Sequence, residues 1–290
     1  MKISIITASY NYANYIKETI QSVINQTYLD WELIIVDDGS MDNSVEIINK
    51  YCNQDSRIKL YTHPNNENKG LKETLLLGIS KANSEWIAFL ESDDTWREDY
   101  LEKKAEIANK YPEVGLIFNG VEFIGDDNII KNHKKILKNV IRKTNAMTYP
   151  RNIFKCFNVK NPILTFSSVM VKKHLLKPEY FNTPVDKLLD WWLYVHVTYD
   201  TDVYYIKEPL TIWMIHPQSY IWNKSKSKFK MVQIEAYIDI LKSHSNEKWL
   251  LIFILYSLII NMYVKICVIK IQTIRRVKQY LHMPLKDSPF

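Results

Sequence analysis

The sequence predicts an α/β fold: a Rossmann-like, mainly parallel sheet followed by a C-terminal helical extension. Short β-branched runs alternate with segments of helical periodicity through the first third of the chain. Polar residues gather just past the ends of those runs, where open sheets of this kind bind ligands. With 47% hydrophobic residues in 290, the chain can also build one large core.

The strand-like runs are ISIITA (3–8), WELIIV (31–36), RIKLYT (57–62) and EWIAFL (85–90). Between them YIKETIQSVINQ, NSVEIINKYC and LKETLLLGISKA repeat apolar residues at helical spacing. The middle helix opens on a capping-box pattern, in which Asn43 can cap and Glu46 can reach back. Right-handed crossovers make this βαβαβαβ order a parallel sheet with helices on both faces. The chain continues with a helix over EDYLEKKAEIANKY closed by Pro112, a strand over VGLIFNGVEFIG, and a polar Lys/Asn-rich stretch at 126–145. A second apolar strand, ILTFSSVMV (163–171), precedes KLLDWWLYVHVTY and IKEPLTIWMIHPQS. No repeat or long linker interrupts this middle part, which reads as the same fold continued.

The predicted rim holds Ser9, Tyr10 and Asn11, then Asp37 and Asp38, then Glu91, Asp93 and Asp94. Crowded carboxylates raise one another's energy unless a positive charge sits among them. Neither a G-x-G-x-x-G after the first strand nor a G-x-x-x-x-G-K-[ST] occurs, and six glycines leave little for a backbone phosphate cradle. A phosphate at this rim therefore calls for a bridging divalent cation, Mn²⁺ or Mg²⁺.

Three well-separated cysteines argue against a disulfide framework, and Lys2 passes directly into a strand-like run, so the expectation is a cytoplasmic protein. The net charge of +6 falls entirely on the segment from Lys248 onward, which favours an anionic membrane surface over a nucleic acid. Within it WLLIFILYSLIINMYV (249–264) is nearly all apolar, and polar residues then recur in one narrow helical stripe. Residues 249–281 fit a helix lying at the inner face of a membrane, with packing against the catalytic part or a partner as the plainer reading.

Taken together, ISIITASYNYANYIKETIQSVINQTYLDWELIIVDDGSMDNS, NKGLKETLLLGISKANSEWIAFLESDD, LDWWL and IHPQS resemble glycosyltransferase family 2, inverting enzymes of the glycosyltransferase A fold. The resemblance covers roughly residues 2–220. It implies a catalytic domain over 1–220, with a nucleotide-sugar half (1–96) and an acceptor half (97–220), and a basic helical extension over 221–290. It places Ala8, Ser9 and Tyr10 at the nucleobase, and Asp38 as an acceptor for base or ribose. The family's D-x-D-D falls on ESDD, so Glu91 and Asp93 are matched to nucleotide-sugar contacts, and Asp93 and Asp94 to the cation. His216 matches a position that in some members reaches metal or diphosphate, and Asp190 aligns with the catalytic base. Trp191 and Trp192 offer flat faces to an acceptor sugar, although their adjacency puts at least one in the core. The implied donor is a UDP-sugar and the implied acceptor a glycan or polyprenyl-linked saccharide; self-association is left open. Two positions depart from the family pattern: Glu91 replaces the first Asp, and Leu75 and Leu76 stand where an Arg and an Asn are common, with Lys69 or Lys72 as substitutes.

Plainer readings stand beside these. Asp37 and Asp38 before Gly39 suit a turn and a helix cap, ESDD suits a polar loop, and His216 suits a hydrogen-bonded structural histidine. A non-catalytic nucleotide-sugar-binding or membrane-scaffold protein of the same fold is the alternative function.

Overall fold

A computed structural model describes residues 1–158, 161–183 and 188–216, together with 236 and 238. The chain divides into two units, Met1–Val232 and Gln233–Phe290, and the fold below is that of the first. The interfacial helix expected over 249–281 lies outside the described residues.

The predicted alternation is present. Strands β1 (Ile3–Ser9), β2 (Trp31–Asp37), β3 (Ile58–Thr62) and β4 (Trp86–Phe89) are parallel, in the order β3-β2-β1-β4. The short β5 (Thr95–Trp96) follows, then β6 (Leu116–Gly125), β7 (Val169–Lys172) and β8 (Val203–Ile215). The sheet has eight strands and continues from β4 through β7, β6 and β8 to β5. Because β7 is antiparallel to both β4 and β6, and β6 is parallel to β8, the carboxyl ends of β1, β2, β3, β4, β6 and β8 face the same way. The sheet is therefore mostly parallel, as the sequence predicts, and one rim collects residues from both halves of the domain.

Parallel strands covered on both faces read as continuous apolar runs, which is why β1 and β2 lack polar alternation. Helix α1 (Ile16–Ile24) buries Ile16, Thr19, Ile20 and Val23, the helical spacing of its apolar face. The 44–54 segment forms α2 (Ser44–Gln54), but the expected capping box is absent. Asn43 makes no side-chain cap, Asp42 accepts from the Ser44 N–H at 2.9 Å, and Glu46 pairs with Lys50 at 2.9 Å. Asp42, one residue outside the cap position, instead takes the first helical N–H in a charge-assisted bond.

Helix α3 (Gly70–Lys81) crosses β1 and β2 closely, since a Cβ on Gly78 would lie 2.6 Å from Ile6 Cγ2. Helix α4 (Tyr100–Lys110) backs the other face. The polar 126–145 stretch is a full helix, α5 (Asp127–Asn145), capped by Asp126, whose carboxylate accepts from the Ile129 N–H at 3.0 Å. Its sparse apolar residues Ile129, Ile130 and Leu137 pack on Phe123, Trp213 and Ile215. The 163–171 run is a strand only in β7; Thr165 caps a tight turn over Phe166–Ser168 instead. Helix α6 (Leu189–Asp200) completes the described fold.

Candidate active site

At the end of β1 the side chains alternate. Ala8 is half-buried and Tyr10 is 42% exposed, while Ser9 points inward and is buried. Ser9 thus faces the opposite side of the strand from its two neighbours. The following loop is fastened to the segment after β2. Asn11, at φ 58°, donates its N–H to Ser40 Oγ and accepts from the Met41 N–H, both at 2.8 Å, and the Ala13 N–H donates to Asp42 at 3.0 Å.

Asp37 accepts from the Ser40 N–H at 2.8 Å and closes the turn around Gly39. Gly39 needs to be glycine: its φ is +80° and a Cβ would sit 2.5 Å from the Asn66 carbonyl oxygen. Asp38 is buried and accepts from the backbone N–H groups of Lys69 at 2.7 Å and Gly70 at 3.0 Å, with His63 Nε2 3.6 Å away. It therefore caps α3, two elements further along than a local turn would place it, and the helix N-terminus suits its negative charge.

The acidic loop follows β4. Thr19 of α1 donates to the Ser92 and Asp94 carbonyls at 3.0 and 2.9 Å, fixing its backbone. The Glu91 N–H donates to Ser167 Oγ at 2.9 Å and the Glu91 carboxylate accepts from Thr165 Oγ1, so its longer side chain is turned toward the 165–168 turn. Asp94 is 0% exposed and accepts from the Met214 N–H of β8 at 3.0 Å. Burial, then repulsion from Asp93 and Glu91, pushes its carboxyl well above the usual range. Asp94 is thus closed in against β8.

Asp93 remains, and it meets His216 from the end of β8: His216 Nε2 lies 3.0 Å from Asp93 Oδ2. Tyr15 stacks on the imidazole with ring centroids 4.7 Å apart, and Tyr12 meets its edge at 6.2 Å. Burial, then the fields of Asp93, Glu91 and Asp94, pushes the Tyr12 phenol up, so it stays a neutral hydrogen-bonding group. Among the described residues no group of three or more His, Cys, Asp or Glu side chains gathers as a complete metal cage. One carboxylate and one imidazole do fit a hard cation that completes its shell with phosphate oxygens and water.

Asp190, in the first turn of α6, is half-buried. The hydroxyl of Tyr194, one turn on, is buried, and that burial, then the fields of Asp190 and Glu91, push it well up. Trp191 and Trp192 are 1% and 4% exposed. Both are buried in the core. Leu75 is buried too, Lys69 pairs with Glu67, and Lys72 donates to Asn182 at 2.9 Å. The sequence reading missed Tyr12, Tyr15, Thr165 and Ser167; the one legible signal was T-x-S-S inside an otherwise apolar run.

The family model described as glycosyl transferase family 2 matches residues 4–178, a span that contains the β1 loop, Asp38 and the acidic loop. The chain belongs to glycosyl transferase family 2. Among its family 2 relatives is the UDP-Glc:alpha-D-GlcNAc-diphosphoundecaprenol beta-1,3-glucosyltransferase WfgD of Escherichia coli, 31% identical over 202 residues, covering 69% of this chain and 71% of WfgD. Several other curated relatives are matched over only 40% of their own length. S. aureus TarS 1–349, solved with UDP-GlcNAc, superposes with a TM-score of 0.60 at 18% identity, over 83% of this chain and 67% of TarS. The mannosyltransferase PcManGT of Pyrobaculum calidifontis, solved with GDP-Man and Mn²⁺, gives 0.57 at 15% identity, over 90% of this chain and 75% of that one. Those neighbours place this family 2 chain in the glycosyltransferase A fold class.

Proposed function

We propose that the chain catalyses cation-dependent, inverting transfer of a sugar from a nucleotide donor, UDP-linked, to a hydroxyl of a glycan or lipid-linked saccharide in cell-surface polysaccharide synthesis. The contact that carries this reading is Asp93 with His216 at 3.0 Å, where the ends of β4 and β8 converge. WfgD supports it through the UDP donor and diphosphoundecaprenol acceptor in its name, and PcManGT through its Mn²⁺ complex.

Ala8 and Tyr10 line the accessible side of the β1 end and receive the base, while Asp38 shapes that end of the pocket through α3. Asp93 and His216 would hold the cation, which when bound offsets the negative charge that develops on the leaving diphosphate. Asp190 accepts the proton of the acceptor hydroxyl as that oxygen attacks the anomeric carbon from the face opposite the diphosphate. One base suffices for that single displacement, which inverts the anomeric centre. Work at the cytoplasmic face of a membrane, on a lipid-linked acceptor, follows from the same reading.

The test is a panel of nucleotide sugars with Mn²⁺ or Mg²⁺, read by thermal stabilisation and by transfer. One nucleotide should stabilise the protein in a cation-dependent way; stabilisation by none would sink the reading. Asp190→Asn should lower transfer by about 100- to 10,000-fold, the usual weight of a general base, with nucleotide affinity nearly intact. Near-normal transfer by the purified variant would remove Asp190 from the role.

A further inference from the structure

Helix α5 leaves the rim where β6 ends. The Asp126 N–H donates to the Ile215 carbonyl at 3.1 Å, one residue before His216, and at the far end the Tyr205 hydroxyl donates to Asn145 at 2.9 Å. The helix thus runs from the candidate site down the face of β6 and β8, burying Ile130, Val140 and Thr144. Its outward side carries Lys131, Lys134, Lys135, Lys138 and Arg142, all exposed. At about 100° per residue these five fall within an arc of about 100°, one straight stripe on a helix about 28 Å long. No acid follows Asp127 within α5, and none of the five cations forms an ion pair among the described residues.

The stripe does nothing for the fold: its charges repel one another, and the helix is held by its opposite face. A straight row of cations meets a flat anionic plane at every position at once. The arc bears no aromatic ring of the kind on which single-stranded nucleic acids stack, and Ile141 at its margin offers hydrocarbon at headgroup depth. We propose that this stripe is the surface by which the catalytic domain docks on an anionic lipid bilayer, setting the Asp93–His216 rim beside the headgroups. The proposal takes its purpose from the lipid-linked acceptor read above, but its existence from charge and geometry alone.

The full-length protein is partitioned onto vesicles of phosphatidylglycerol and phosphatidylcholine, and onto vesicles of phosphatidylcholine alone. Binding should require the anionic lipid and weaken as salt shortens the screening length. Each basic residue near such a surface contributes about fivefold. The variant with Lys131, Lys134, Lys135, Lys138 and Arg142 all changed to Gln should lose at least tenfold in partitioning. Its melting temperature and donor hydrolysis should stay unchanged, and Lys138→Glu replaces it if it fails to fold. Wild-type binding by either stripe variant would overturn the proposal. So would wild-type protein that ignores anionic vesicles while its stripe captures soluble polyphosphate. Vesicle binding needs no donor, so failure of the transfer reading, with no nucleotide sugar turned over, would leave this result standing.

Discussion

Asp93 and Asp94 are neighbours in one loop, yet their surroundings give them different work. Asp94 is sealed against the Met214 N–H and its carboxyl is held protonated to higher pH by burial, whereas Asp93 faces His216. An Asn at position 94 can still accept from Met214 and no longer repels Asp93. Asp94→Asn should therefore keep the cation-dependent nucleotide stabilisation and change folding stability by less than about 1 kcal/mol, the net weight of an ordinary hydrogen bond. Asp93→Asn should abolish the cation dependence. Thermal shifts with and without Mn²⁺ check both, and loss of cation dependence in Asp94→Asn would put that carboxylate back in the ligand set. The acidic cluster was legible because three carboxylates at a strand end are costly without a partner. Which of them is buried was not, since that depends on a β8 amide 120 residues away in sequence.

Among the elements, α4 does more than cover the sheet. Lys104 sits in its buried face and donates to the carbonyls of Ile117 at 2.8 Å and Ser168 at 2.7 Å. It thereby ties β6 to the turn whose Ser167 receives the Glu91 N–H, so the acidic loop rests on this clamp. Burial holds the Lys104 amine well below its usual range. Between that lowered value and about 10.4 the unfolded chain binds a proton that the folded one lacks, so this group makes stability rise with pH across that window. Lys104→Met should lose that slope and cost about 1–3 kcal/mol for each carbonyl left without a donor. Urea melts of both proteins at several pH values between 7 and 10 test this; equal slopes and stabilities would show that the clamp carries nothing. A lysine at helical spacing gives no sign of burial in the sequence, and the α5 helix was equally hidden because its apolar residues are outnumbered by Lys and Asn. Strands β1 to β4 were legible for the opposite reason: parallel strands buried on both faces cannot hide their apolar runs.

For the whole molecule, the decisive feature is that antiparallel β7, which lies between β4 and β6 in the sheet, carries the chain back between β6 and β8, so that β8 ends at the same rim as β1, β2 and β4. Sequence periodicity located the first half of that rim, and the family resemblance supplied His216. Neither could show that residues 93 and 216 touch, because the register of β8 is set by its pairing with β6. If the touching pair acts as one cation and diphosphate anchor, its two members cannot contribute independently. Asp93→Asn and His216→Gln should each weaken cation-dependent nucleotide binding by at least tenfold. The double variant should fall little below the weaker single one, a coupling of at least about 1.4 kcal/mol, which is the tenfold loss that the two share. Titration calorimetry of the four proteins with the nucleotide and Mn²⁺ measures that coupling. Strict additivity would mean that the two side chains act on separate parts of the ligand and that their contact does not form a shared anchor.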